Sequence, residues 1–476
     1  MKGESFVKSS VKTASGLLLA IFIAFGFVAC DAYGRRGDNG FVLDWSAENP
    51  FYGETLTLGV VHQVFNYEAF ARAYMRINPG VTIEIINYGR FYNFNEEEIT
   101  TQVGVQMMTG TAPDLIYGAL VDHRNPNTIQ LLSDWFSVMN AHPGFFEDEW
   151  DMNAFNAMSA DGRLYAFTSD YVFRYVVANS QIPGLVEAFS QHDSISLVDM
   201  IEMHRQFAPQ DGSMFLLSEM DVSHAVRANL HYFLDLESGV ASFDNREFID
   251  LITWARDNTP PMSIRRHLQV EDFSDGMGNR EAELFLSPHY LFRYIPNYFV
   301  EYFSVFETDT IFLNPLPLVS VDGELLTWSE HNYVLNAGAT PTQQLLALDF
   351  MMFMRNPGDI SLWMSNPRYI GFVSTNNSYL RFRAEHRFPN MMTQNFTGPF
   401  AITPHQMSVS LEEAVNIFYD EKMQISEMPK TIWDFAPRVV FDALDEILGQ
   451  FQDGLITAEQ AANDLQNRLT LILMEM

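Results

Sequence analysis

An α/β fold organised around a parallel sheet is what this chain predicts, on three observations from its first 120 residues. Apolar alternation and helical periodicity take turns there, in the order strand, helix, strand, helix, strand. The second helix is marked at its start by Asn95 as N-cap, with Glu96, Glu97 and Glu98 lying against the positive end of its dipole. It is marked at its end by Gly110-Thr111-Ala112-Pro113-Asp114, where Gly110 fits a left-handed cap and Pro113 keeps the helix from resuming. Parallel pairing with right-handed crossovers follows from that order of elements.

Residues 55–61 carry Leu56, Leu58 and Val60 in alternation and read as the first strand. Residues 67–77 read as a helix with Phe70, Tyr74 and Ile77 on one side, halted by Asn78-Pro79-Gly80. Val81, Ile83 and Ile85 alternate in a second strand, and Ile99, Val103 and Met107 give the second helix an apolar face. Leu115-Ile116-Tyr117-Gly118 is then a short buried strand with Tyr117 at its C-terminal end. In open parallel sheets ligands sit beyond the C-terminal strand ends. Those ends carry His62, Phe65, Asn66, Tyr88, Tyr117, Asp122 and His123, without a glycine-rich phosphate loop.

Leu131 to Trp135 reads as an aliphatic turn packing on this first body. Asp161-Gly162 is a turn signal before a strand that runs on apolar through Tyr171 to Asn179. Helices are expected at 196–207, 248–257 and 341–354, and strands at 282–286, 311–318 and 325–335, with an aromatic-rich stretch at 288–306. Two helices close the chain, at 435–451 and 458–474. Thr457 and Gln460 form a capping box there, and Ala461, Leu465, Leu469 and Ile472 make a buried stripe.

The N-terminus reads as an export signal. Lys2, Lys8 and Lys12 precede an unbroken apolar run at 16–29, too short for the roughly 20 residues of a membrane span. The run ends in Phe27-Val28-Ala29-Cys30, and Cys30 is the single cysteine of the chain. That ending resembles a bacterial lipobox, with Phe27 in place of the usual leucine, and implies a lipid on Cys30. An exported chain with one thiol forms no internal disulfide, and acylation accounts for that thiol. Residues 31–53 are polar, lack periodicity and suit a tether. Arg36-Gly37-Asp38 within them is read as a chance tripeptide.

The chain has 476 residues, 47% apolar and 14% aromatic, enough for large cores. Taking three lysines and one glutamate from the 28 basic and 60 acidic residues leaves 25 and 59 in the mature chain, a formal charge of −34. Nucleic acid and anionic membrane surfaces need a basic footprint and are poor partners for this chain. His224 and His231 lack a third metal ligand, Gly276-Met277-Gly278 lacks the third glycine of a dinucleotide loop, and no Gly-x-Ser-x-Gly elbow occurs. No metal and no cofactor is expected.

Taken together, the pieces resemble the extracellular solute-binding proteins of ABC importers, the family that includes maltose-binding protein. The matching segments are Asn78-Pro79-Gly80, Gly110 to Asp114, Asp161 to Ala166 leading to Asn179, Gly371-Phe372-Val373-Ser374 with serine for the usual proline, and Gly454 to Ala461. The resemblance covers residues 55–476. It implies a two-lobed, periplasmic-binding-protein-like α/β fold that closes on its ligand like a clamshell, a binding protein rather than an enzyme, acting as a monomer. By that pattern 1–29 is a signal peptide and 30–53 a tether, the first lobe takes 54–168 with 328–369, and the second takes 169–327 with 370–476. Crossings are expected near residues 167–171, 328–335 and 370–374.

The partners implied are a small molecule, an oligosaccharide by preference, and membrane permease subunits at the outer face of a bacterial cell membrane. Peptides, polyamines and other polar solutes remain open. Sugar recognition uses aromatic faces and paired hydrogen-bonding groups. The resemblance places Tyr290 and Trp433 at such aromatic positions, and Asp170 and Tyr171 just after the Asp161 to Ala166 segment. His62, Phe65 and Tyr117 are candidates by strand-end position. A secreted carbohydrate-active enzyme and an adhesion or sensory module on the same fold are the competing readings.

Overall fold

The computed structural model describes residues 49–61, 67–91, 96–173, 175–179, 182–209, 215–217, 221–236, 238–259, 283–286, 312–355, 373–378, 416, 420, 423–432 and 435–476. The expected export signal, Cys30 with the lipobox-like residues before it, Asn95, the glycines at 276 and 278, and the Gly371-Phe372 pair lie outside them. Residues Phe51–Met476 constitute one compact unit.

Strand β1 (Thr55–Val60) lies between β2 (Thr82–Asn87) and β3 (Leu115–Tyr117), parallel to both, as the strand-helix alternation demands. Helix α1 (Tyr67–Ile77) buries Tyr67, Phe70, Ala71 and Tyr74. Gly80 ends its turn at φ +92°, with the Tyr52 ring so close that a Cβ there would sit 2.3 Å from it. Helix α2 (Glu96–Thr109) buries Ile99, Val103 and Met107, the face marked by its four-residue spacing. Gly110 takes φ +70°, and the Thr111 N–H bonds the Gln106 carbonyl at 2.8 Å, closing the helix end. Asp114 then fastens β3 to β1, its carboxylate accepting from the Thr57 N–H at 2.8 Å and the Thr57 hydroxyl at 2.7 Å.

Two short helices the periodicity did not reveal follow: α3 (Trp135–Ala141) and α4 (Met152–Met158), capped by Asp134 and Asp151. The turn Asp161-Gly162 has both residues at positive φ and leads into β4 (Ala166–Phe173), whose eight residues are all buried. The apolar stretch breaks after Phe173, and β5 (Tyr175–Asn179) is a separate strand. Helix α5 (Leu185–Phe189), strand β6 (Ile195–Ser196), helix α6 (Leu197–Phe207) with its Ser196–Asp199 capping box, strand β7 (Phe215–Leu217) and helix α7 (Val222–Ala228) come next. A small hairpin, β8 (Leu234–Asp235) and β9 (Val240–Ala241), precedes helix α8 (Arg246–Asn258).

The remaining described elements are β10 (Glu283–Leu286), β11 (Phe312–Val319), β12 (Leu325–Leu335), α9 (Pro341–Met354), β13 (Val373–Ser374), β14 (Lys430–Ile432), α10 (Arg438–Gln452) and α11 (Ala458–Glu475). Helix α10 starts three residues later than its apolar pattern suggests, because Pro437 takes an extended ψ of 150° as its N-cap. The capping box of Thr457 and Gln460 opens α11 as expected.

All but the small hairpin join a 12-stranded mixed sheet with the main order β2-β1-β3-β12-β11-β5-β10-β7. Two hydrophobic cores flank β12. One gathers Val61, Tyr88, Ile99, Val103, Met107, Ile116 and Val334; the other gathers Val176, Ala178, Phe285, Leu318 and Leu326 with apolar faces of α5, α6, α7, α8, α10 and α11. The parallel pairing expected of the sheet holds at β1–β2 and β1–β3, whereas β12 runs antiparallel to β3, β4 and β11. A strand that leaves one core and returns must run antiparallel to the one beside it, so the long β12–β4 pair, with β13 beside β4, links the two cores.

Candidate functional site

The C-terminal ends of β1, β2 and β3 converge on one edge of the first core. Residues 62–66 lie outside the described residues, so His62 and Phe65 are not placed, and neither are Tyr290 and Trp433. Tyr88, at the end of β2, is buried and donates its hydroxyl to the Gln106 side chain, which makes it a packing residue.

Tyr117 remains part-exposed at the end of β3. Its ring lies 5.7 Å from the Tyr333 ring, edge to face, and 6.5 Å from the His331 ring. Tyr333 is fixed by a 2.9 Å hydroxyl–hydroxyl bond with Tyr67, and its carbonyl accepts the Trp135 indole N–H at 2.9 Å. Burial, then the neighbouring Tyr333, pushes the Tyr67 hydroxyl well above its ordinary value, so it stays protonated. The pair under Tyr117 is therefore held by hydrogen bonds, with the Tyr67 hydroxyl uncharged. Gly118 follows, and its Cα approaches β12 so closely that a Cβ would stand 2.7 Å from that of Asn332. Asn332 is part-exposed, bonded to the Thr168 hydroxyl and, through its amide, to Ser329 at 2.7 Å.

Just beyond, Asp122 reaches from the first core to the second. Its Oδ2 accepts the backbone N–H of Arg438, the first residue of α10, at 3.2 Å. That N-terminus has no cap of its own, since Pro437 offers no side-chain acceptor. His123 is held neutral, its pKa pushed down to about 3 by burial of the ring and then by the Arg124 charge. The residue is part-exposed, but its Nε2 is covered and has no hydrogen-bond partner among the described residues.

Asp170 and Tyr171, expected to face a ligand, are turned inward. Asp170 is 2% exposed; its Oδ2 lies 2.6 Å from Arg355 Nη2 and 3.2 Å from His331 Nδ1. Tyr171 is 1% exposed and donates its hydroxyl to Asp151 at 2.8 Å, while the Lys430 ammonium sits 5.2 Å over its ring. The reason is the position of β4, which is covered by β12 on one edge and β13 on the other with every residue buried. In this arrangement the two side chains brace the crossing strands and offer no surface to a solute.

The Lys430 ammonium is fully enclosed, 3.1 Å from Asp151 and bonded to the carbonyls of Ser426 and Met428 at 2.8 and 2.9 Å. Burial pushes its pKa down and that of Asp151 up, in each case more than their mutual attraction restores. His331, Arg355 and Lys430 were not singled out from the sequence. Nothing in an alternating strand announces a left-handed histidine, and a lone Arg or Lys near an element end carries no spacing signal. Among the described residues no group of His, Cys, Asp and Glu could hold a metal ion, and no helix is long and apolar enough to cross a membrane.

Neither a protein-family model nor a curated protein matches the chain. Among solved structures it is similar to a family 1 extracellular solute-binding protein from Bifidobacterium longum subsp. infantis, with 14% identity over 87% of this chain and 98% of that one, at a TM-score of 0.52. It is similar also to a provisionally assigned oligosaccharide periplasmic-binding protein from Synechococcus sp. MITs9220, with 14% identity over 88% and 99% and a TM-score of 0.54. A designed esterase improved by directed evolution shares 11% identity over 89% and 99% at 0.55. The fold is therefore the two-lobed periplasmic-binding-protein-like α/β fold. It shares that fold with family 1 extracellular solute-binding proteins of known structure.

Proposed function

We propose that this chain is an extracellular solute-binding protein, anchored by a lipid on Cys30, that delivers an oligosaccharide to the permease subunits of an ABC importer by clamshell closure. The observation that carries the reading is strand β12, which gives Val334 to one hydrophobic core and Leu326 to the other, with Tyr117 and its hydrogen-bonded neighbours at the strand-end edge of the first. Closure of two bodies about shared strands is a population shift driven by differential affinity, and it breaks no bond in the solute. The aromatic face of Tyr117 suits a pyranose ring, and the Asn332 amide beside Gly118 suits its hydroxyls. By sequence position His62, Phe65, Tyr290 and Trp433 would complete the site.

The test is a thermal-shift and calorimetry screen of the chain from Asp31 onward against mono- and oligosaccharides, amino acids, peptides and polyamines, with sugar recovery measured after incubation. Ligand at a hundredfold excess over Kd adds about 2.7 kcal/mol to stability. A saturable shift with one sugar class and full recovery of that sugar is expected, as is an affinity at least tenfold weaker in Tyr117→Ala. Disappearance of the sugar would establish the enzyme reading instead, and silence across the panel would favour an adhesion or sensory module.

A further inference from the structure

Strand β12 contains one residue whose backbone does not belong in a strand. His331 has φ +53° at the seventh of eleven positions, in the left-handed region that a non-glycine residue seldom adopts, and it is 5% exposed. The ladder to β4 runs from Trp328↔Val172 through Glu330↔Asp170, then resumes at Asn332↔Thr168, passing over the His331–Ser169 pair. The bonds the ladder omits are made by other groups. The Ser169 hydroxyl donates to the His331 carbonyl at 3.0 Å, and the Ser169 carbonyl accepts from the N–H and the hydroxyl of Thr375, each at 3.2 Å.

We propose that His331 is the pivot of the crossing strands and a positioning residue that couples the Tyr117 platform to the relative placement of the two cores. Its imidazole is held on one side by Asp170, which Arg355 grips at the end of α9, and its ring neighbours Tyr117 on the other. A ladder that lacks its central pair and is bridged by rotatable hydroxyls can bend there at low cost, while the flanking pairs keep register. The left-handed conformation costs a non-glycine residue energy, so the Asp170 contact helps hold residue 331 in it. Releasing that contact lets residue 331 relax toward extended geometry and swings one core against the other. The inference rests on the two-body reading above but not on the identity of the solute.

The experiment measures distance distributions between spin labels at Glu84→Cys on β2 and Asp464→Cys on α11, both exposed, in a Cys30→Ser background without any solute. His331→Ala keeps the strain and loses the anchor, so the ratio of the two core placements should change roughly tenfold. His331→Gly removes the strain as well, and His331→Asn tolerates the left-handed region; both should lie nearer the parent distribution. Ser169→Ala, which removes only the bridging hydroxyl, should broaden the distribution without abolishing folding. Superimposable distributions in the parent, His331→Ala and Ser169→Ala proteins would overturn the pivot, even if all three variants melt earlier. A shifted distribution with no sugar binding would leave the pivot standing and remove the transport reading.

Discussion

Replacing one member of the Lys430–Asp151 pair should be far more damaging than replacing both. Lys430→Met leaves the Asp151 carboxylate enclosed with the Tyr171 hydroxyl and the Ala154 N–H as its described partners. Asp151→Ala leaves a buried ammonium against two carbonyls and also removes the cap of α4. Breaking a buried pair from one side costs about 3–5 kcal/mol, because an uncompensated charge stays inside. For both groups burial outweighs attraction, and exchanging both partners of a buried pair for uncharged groups is often close to neutral. Lys430→Met combined with Asp151→Asn keeps a cap for Ala154 and an acceptor for Tyr171, and should fall within about 1 kcal/mol of the parent or above it. Urea unfolding followed by the fluorescence of buried Trp135 and Trp150 reads all four proteins. Single variants within 1 kcal/mol of the parent, or a double variant as unstable as the sum of the singles, would refute the reasoning.

The same pair predicts a pH signature. Asp151 binds its proton more tightly folded than unfolded, so its contribution is full below its ordinary 3.8 and is lost as pH rises through the raised value. Lys430 has a lowered folded value, so its contribution is full above its ordinary 10.5 and is lost as pH falls through that lowered value. Lys430→Met should therefore lack the part of the alkaline stability profile that the parent gains on approaching 10.5. Gly118→Ala should lose about 1–3 kcal/mol, since the new methyl meets Asn332 Cβ at 2.7 Å and its carbonyl oxygen at 3.1 Å; a thermal melt reads it. Asp122→Ala should cost about 0.5–1 kcal/mol and speed exchange of the Arg438 amide, the N–H it caps from the opposite core.

The elements most legible in the sequence are those whose signals are local. The spacing of Ile99, Val103 and Met107, the Gly110 cap and the Thr457–Gln460 box each involve residues within a few positions, and each appears where local chemistry places it. Residues 67–77, 325–335 and 341–354 form the predicted helix, strand and helix at the predicted bounds. Short helices such as α3 and α4 lack enough turns to show a period and are fixed by single aspartate caps and by aromatics such as Trp135 and Phe155. Asp170 and Tyr171 were read as ligand groups because they follow a crossing strand. Whether a polar residue on such a strand faces a solute or the interior depends on strands over 150 residues away, and no local pattern encodes β12 and β13 closing over β4.

Strand β12 contributes Leu326 to one hydrophobic core and Val334 to the other, eight residues apart on a single rod. The first core draws on residues 61–166 and the tip of β12, whereas the second draws chain from both sides of that strand, residues 176–318 and 436–469. No single cut in the polypeptide separates them into two self-sufficient fragments. During synthesis the first core lacks its closing strand until residue 335 has emerged, and the second lacks α10 and α11 until residue 475 has.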